Sequence, residues 1–238
     1  MKTNTLLAAA AILAVGGLAA DAQVYSQNIV GYVNQVLNPS AYTMITCPVG
    51  ASSTNVVENV MPCLQQGDQV FIWTGGGYND LTYFGPNFDG NGNTWADANG
   101  NGVVSPTFAP GQALFYVNGQ NGIIETNTFV GTVILTNSVD LNPSAYQMVG
   151  STVPIAVALD DTNLALPFQQ GDQVFLWTGG GYNDLTYFGP NFDGNGNTFA
   201  DVNGNGVASP TIQVGQGFFY LNGQNGVTES WVQNFNVQ

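Results

Sequence analysis

The chain has 238 residues and a net charge of −14, with Lys+Arg at 1, Asp+Glu at 15 and no His. Without a cationic surface it cannot neutralise nucleic-acid phosphates or be drawn to anionic lipid, and without imidazole the usual proton shuttle and zinc ligand are missing. Hydrophobic residues make up 44%, so this is no disordered acidic tail, while charged residues at 7% leave the surface to Asn, Gln, Thr, Ser and Gly.

Residues 1–22 read as a secretory signal peptide. Lys2 supplies a positive start, Leu6 to Ala20 is almost wholly apolar, and Ala20-Asp21-Ala22 is a small-x-small cleavage site. The run is short for a membrane anchor, and no second long apolar run follows. The mature chain is expected to start near Gln23 and to be secreted: extracellular, at the cell surface or in the periplasm. It would contain no Lys, Arg or His, and no membrane insertion is expected after cleavage. In an oxidising compartment the two cysteines, Cys47 and Cys63, are expected to form a disulfide, which would add roughly 3 kcal/mol.

An internal repeat dominates the rest. Leu37-Asn38-Pro39-Ser40-Ala41-Tyr42 returns as Leu141-Asn142-Pro143-Ser144-Ala145-Tyr146, and Gln65 to Gly122 returns as Gln169 to Gly226. The boundary near Thr132–Ser138 gives unit 1 over 23–134 and unit 2 over 135–238, either as two domains or as one pseudo-symmetric domain. The cysteines have no counterparts in unit 2, which carries Ser151 and Pro167 there.

Within unit 1, strands are expected at Val24–Val36, Tyr42–Cys47, Gln69–Trp73, Tyr78–Phe84, Gln112–Asn118 and Ile123–Val133, with Thr74-Gly75-Gly76-Gly77 closing a hairpin. The helical hint is one turn at Asn55-Val56-Val57-Glu58, with Asn55 as cap and Glu58 reaching back. Asp160-Asp161-Thr162-Asn163 takes its place in unit 2. The fold class is all-β: two tandem homologous sandwich or barrel units of about six strands, each with at most one short helical turn.

Candidate metal ligands lie between the hairpin and the next strand. Unit 1 carries Asp89, Asn91 and Asn93, then Asp97, Asn99 and Asn101; unit 2 carries Asp193, Asn195 and Asn197, then Asp201, Asn203 and Asn205. Alternate oxygen-bearing side chains separated by Gly suit a hard cation. Asp97-x-Asn99-x-Asn101-Gly102 resembles the first half of an EF-hand-like or thrombospondin-type calcium loop. Phe108 and Ile212 stand where such a loop needs Glu, and Thr94 stands where the first ladder needs Gly. The expectation is one weak Ca²⁺ per unit, with affinity on the order of 10⁻⁴–10⁻³ M, set against Asn-Gly turns that bind nothing.

Catalysis would have to run on carboxylates and Tyr alone. A paired-carboxylate glycosidase is the only open class, and duplicated Gly-rich loops suit it poorly, so no enzymatic activity is expected. Two binding or building roles remain. One is an extracellular structural or adhesive protein stabilised by calcium loops and able to self-assemble. The other is a carbohydrate-binding module using aromatics beside the loops: Trp73, Tyr78, Tyr83, Phe84 and Trp95, with Trp177, Tyr182, Tyr187, Phe188 and Phe199. Trp73 alternates with Phe71 and reads as core, whereas Tyr83 and Trp95 read as exposed. A surface glycan would be the partner.

The elements Val30-Gly31-Tyr32-Val33-Asn34, Ala41-Tyr42-x-Met44-Ile45, Asp80-Leu81-Thr82-Tyr83-Phe84-Gly85 and Gly215-Gln216-Gly217-Phe218-Phe219-Tyr220-Leu221-Asn222 resemble those of a family of secreted tandem-repeat all-β bacterial proteins. The resemblance implies export and a β-fold, and it attaches no activity to any residue.

Overall fold

A computed structural model describes residues 29–51, 54–224 and 226–236; the expected signal peptide lies outside the described residues. The chain is nearly all β, and its one helix among the described residues is the four-residue α1, Val57–Val60. Among those residues, no helix is long and apolar enough to cross a membrane.

Unit 1 begins with β1 (Val30–Leu37), which pairs antiparallel along its whole length with β8 (Glu125–Thr132). Between them run β2 (Tyr42–Thr46), β3 (Gln69–Trp73), β4 (Tyr78–Tyr83), β5 (Trp95–Asp97), β6 (Gly102–Val103) and β7 (Ala113–Val117). These six form one antiparallel sheet in the order β2-β7-β3-β4-β5-β6. Leu37 and Phe129 of the β1–β8 ribbon pack with Ile45, Val70 and Leu114 of the sheet, so unit 1 is a two-layer sandwich.

Unit 2 repeats the plan. Its ribbon pairs β9 (Thr136–Leu141) with β18 (Glu229–Asn234). Its six-stranded sheet runs β10 (Tyr146–Gly150), β17 (Gly217–Leu221), β12 (Gln173–Trp177), β13 (Tyr182–Tyr187), β14 (Phe199–Ala200), β15 (Gly206–Val207). A small extra pair joins β11 (Val157–Ala158) to β16 (Thr211–Ile212).

The long strands follow their hydrophobic alternation. The turn at Thr74 closes as expected: the Thr74 N–H and Oγ1 both donate to the Gly77 carbonyl, at 2.9 and 3.0 Å, while Gly75 takes a positive φ of 95°. Close approach fixes another glycine, since a Cβ at Gly119 would lie 2.1 Å from the Gly67 carbonyl oxygen.

Two local expectations are corrected. Helix α1 forms, but Asn55 does not cap it: Val56 is the N-cap residue and makes no side-chain cap bond, and Asn55 has φ 49°. Glu58 turns away to accept from Thr94 Oγ1 at 2.5 Å and from Ser105 Oγ, pinning α1 to the loop beyond β4. Cys47 and Cys63 are free thiols. Cys47 is buried in the unit 1 core with its Sγ donating to the Val49 carbonyl at 3.0 Å, and Cys63 packs against the same core. Burial, then the Glu125 carboxylate, pushes the Cys63 thiol up to about 12, so its nucleophilic thiolate is scarce.

Candidate functional site

In the six-stranded sheet of unit 1 the strand β7 is buried on both faces. Leu114 and Tyr116 face the unit's own core, whereas Ala113 and Phe115 face the second unit. Cross-strand register extends that outer face sideways. Met44 lies opposite Phe115, Phe115 opposite Phe71, and Phe71 opposite Asp80, while Trp73 pairs with Tyr78. Alternation along β2 adds Tyr42 to the same face.

Unit 2 presents the same surface in return, and the two meet about a pseudo-two-fold axis. Trp73 Nε1 donates to the Tyr146 carbonyl at 2.7 Å, and Trp177 Nε1 donates to the Tyr42 carbonyl at 2.8 Å. Trp73 packs edge-on to Phe219 at 5.4 Å between centroids, and Trp177 to Phe115 at 5.2 Å. On the axis the Tyr78 and Tyr182 hydroxyls lie 3.4 Å apart. Backbone bonds close the seam: Thr46 N–H donates to Gly215 O and Gly150 N–H to Gly111 O.

Two positions on the axis have diverged between the copies. A Cβ at Gly150 would lie 2.3 Å from Thr46 Cβ, and a Cβ at Gly217 would lie 2.6 Å from Ala113 Cβ. Each side chain of unit 1 therefore needs Gly at the matching position of unit 2, an asymmetry open to a fused duplicate and closed to a pair of identical subunits.

Flanking the axis are two equivalent clefts. One is lined by Trp73, Tyr78, Tyr146, Phe175, Tyr182 and Phe219, with a volume of about 210 Å³. The other is lined by Tyr42, Phe71, Tyr78, Phe115, Trp177 and Tyr182, with a volume of about 280 Å³. The Trp of each cleft comes from one unit and most of the remaining rings from the other. Tyr42, Tyr78, Tyr146 and Tyr182 keep 42 to 46% of their surface in solvent, so the rings are reachable. Asp80 and Asp184 stand beside Phe71 and Phe175 in register, two residues from Tyr78 and Tyr182 on the same strand faces. Oδ1 of each is buried without a hydrogen-bond partner, and burial raises both carboxyl groups above the usual range.

The aromatics expected beside the loops divide differently. Trp95 is 0% exposed, and Tyr83 packs on it at 5.2 Å at the edge of the unit 1 core. Phe199 and Tyr187 repeat that pairing. The expectation that Trp95 is exposed is thus corrected, Tyr83 is half-buried, and Trp73 packs on the apolar cluster between the units. Phe84 stacks on Phe88 at 5.0 Å on the surface, as Phe188 does on Phe192 at 5.1 Å.

The oxygen ladders are compact turns. Asp89 accepts from Asn91 N at 2.9 Å and from Asn93 Nδ2 at 2.7 Å, and Asp97 accepts from Asn99 N at 2.9 Å and Asn101 N at 2.8 Å. Asp193 takes the same bonds from Asn195 N and Asn197 Nδ2, and Asp201 from Asn203 N and Asn205 N. The two turns of a unit touch, because Asp89 Oδ2 lies where a Gly102 Cβ would be. The Asn93 and Asn101 amides, with the loop N–H groups, hold Asp89 and Asp97 below the usual carboxylate range, and Asn197 and Asn205 act likewise on Asp193 and Asp201. Hydrogen bonds within the loop hold each ladder together, and no group of three or more His, Cys, Asp or Glu that could hold a metal occurs among the described residues.

A buried polar cluster in each unit was not anticipated. Asp68 is 0% exposed and accepts from Tyr116 Oη at 2.6 Å, Gln65 N at 2.6 Å and Gly119 N at 2.9 Å. Tyr116 Oη also lies 2.8 Å from Glu125 Oε2. Asp172, Tyr220 and Glu229 repeat the arrangement, with Tyr220 Oη 2.6 Å from Asp172 and 3.2 Å from Glu229. Burial, then the neighbouring Asp68, raises Glu125 above its ordinary range, against the opposing hydrogen bond from Tyr116. The recurrence of these acids at equivalent positions of the repeat was the available signal. Enclosed in the core, they act on stability.

No family model matches the chain, and no curated protein or solved structure matches it either.

Proposed function

We propose that the protein is an extracellular, non-catalytic adhesive protein that binds carbohydrate in the twin aromatic clefts. The observation that carries this reading is the duplicated cleft: six aromatic rings around each opening, four solvent-facing tyrosines, and a shared Tyr78–Tyr182 hydroxyl pair between them. Aromatic faces stack on the C–H faces of sugar rings, and the tyrosine hydroxyls supply bonds to sugar hydroxyls. The secretory pattern at Lys2 to Ala22 supports the extracellular placement.

Two equivalent sites on one seam also suit adhesion, because a polymer or surface carrying repeated sugars can engage both at once. The test is a glycan array followed by calorimetry on the retained saccharide. Binding is expected for the intact chain, with at least a tenfold loss in the paired Trp73→Ala and Trp177→Ala variant, as expected for removal of a central aromatic anchor. Absence of any retained saccharide, or full affinity in that variant, would overturn the proposal.

A further inference from the structure

We infer that each cleft is an aromatic cage for a quaternary ammonium group, so that the saccharides retained are those bearing a trimethylammonium substituent. This rests on the carbohydrate reading and names the chemical class of ligand. Three observations support it.

First, the rings stand as walls. In one cleft Phe219 meets Trp73 at 88° and Tyr146 at 89°, and Phe175 meets Tyr182 at 89°. In the other Phe115 meets Trp177 at 79° and Tyr42 at 89°, and Phe71 meets Tyr78 at 86°. The corner beside an edge-to-face pair is bounded by two ring faces, and each ring face carries the negative part of the quadrupole. Second, every residue lining either cleft is Trp, Tyr or Phe. The indole N–H groups are already engaged, Trp73 with the Tyr146 carbonyl and Trp177 with the Tyr42 carbonyl. A primary ammonium would enter with several N–H donors to satisfy, whereas a trimethylammonium group has none and presents only methyl groups to the rings. Third, the chain carries a net charge of −14, and no Lys, Arg or His occurs among the described residues. The surrounding potential draws cations and opposes anions.

Size agrees with this division of labour. At about 210 and 280 Å³ the clefts fall below the roughly 300 Å³ at which pockets for drug-sized ligands begin. The cationic head group enters the cage, and its sugar lies across the exposed tyrosines.

The experiment is calorimetry on the intact chain with three probes: choline, its neutral carbon isostere with a tert-butyl group in place of trimethylammonium, and ethanolamine, which carries a primary ammonium. Choline is expected to bind about tenfold more tightly than the isostere, as for a cation held among desolvated aromatic rings, and more tightly than ethanolamine. Phe71→Leu with Phe175→Leu takes one ring from each cleft and leaves both indole hydrogen bonds in place. Folded by circular dichroism, that variant should narrow the preference for choline to about threefold or less. The isostere comparison needs no variant, so it decides the inference whatever the variant's stability. Equal binding of choline and the isostere, or of choline and ethanolamine, would overturn the inference and leave the carbohydrate reading standing. Failure to bind choline while a neutral saccharide is retained on the array would do the same. An undiminished preference in the variant would also overturn it, by placing the cation outside the clefts. No binding of choline and no saccharide retained on the array would overturn both.

Discussion

Replacing Glu125 and Glu229 by Gln should stabilise the protein at neutral and alkaline pH while leaving it unchanged in mild acid. The Tyr116 hydroxyl has one proton and stands 2.6 Å from Asp68 Oδ2 and 2.8 Å from Glu125 Oε2. Asp68 also accepts two backbone N–H bonds and is the nearer of the two acceptors, so the hydroxyl proton is assigned to Asp68. Glu125 is then satisfied only when protonated and donating to the tyrosine oxygen. Its folded-state pKa is raised above the ordinary 4.5, chiefly by burial. The sign follows: the folded state holds this proton more tightly than the unfolded chain. The contribution is complete below about pH 4.5 and is lost as pH rises through the raised value. Glu229 behaves likewise, with burial first and Asp172 second. Gln at 125 donates permanently to Tyr116 Oη and still accepts from Gln65 Nε2, which lies 2.9 Å from Glu125 Oε1. An unsatisfied buried acceptor costs about 1–3 kcal/mol, so each substitution should gain about 1–2 kcal/mol at pH 8. At pH 4 the gain should be within about 0.5 kcal/mol of zero. Guanidinium unfolding of wild type and double variant from pH 4 to pH 9 reads this directly. Parallel stability curves across that range would refute the proton assignment.

Other consequences follow from the same coordinates. Gly217→Ala places a Cβ 2.6 Å from Ala113 Cβ and should cost about 1–3 kcal/mol, whereas the paired Ala113→Gly, Gly217→Ala variant should recover most of the loss in thermal unfolding. Since Asp97 and Asp201 are satisfied by their own loop amides, the thermal midpoint should be the same in millimolar calcium and in EDTA. Asp97→Ala with Asp201→Ala should lower it equally in both. A calcium-dependent rise that the double variant abolishes would instead identify the ladders as ion sites. Because hydrogen bonds lower Asp89, Asp97, Asp193 and Asp201, their contribution is present above the unfolded pKa of about 3.8 and is lost as pH falls below it. Replacing them by Asn should therefore flatten the acid limb of the stability curve.

The long strands were legible because alternation and β-branched or aromatic content agree at Gln69–Trp73, Tyr78–Tyr83 and Ala113–Val117, and the gap-free repeat doubled each signal. The short β5 and β6 were hidden in Asn- and Gly-rich sequence, where two or three residues cannot display a period. The site was harder to read for a different reason. Period-two alternation puts Phe71 and Trp73 on one face, but it does not say which face meets the unit's own ribbon and which meets the other unit. Trp95 could be taken for surface, yet it is wholly buried in the unit 1 core, while Trp73 is half-buried and packs on the apolar cluster between the units. Asp68 and Glu125 were equally opaque. An acid in or beside a strand reads as solvated, and only the fold brings Tyr116 between the two.

The twin clefts are tested most directly by counting sites. Titration calorimetry with a saccharide retained on the array should give two sites per wild-type chain. Trp73→Leu, folded by circular dichroism, should reduce the count to one by spoiling the cleft that this indole lines while sparing the one built on Trp177. A single site in the wild type, or two unaltered sites in the variant, would contradict the account.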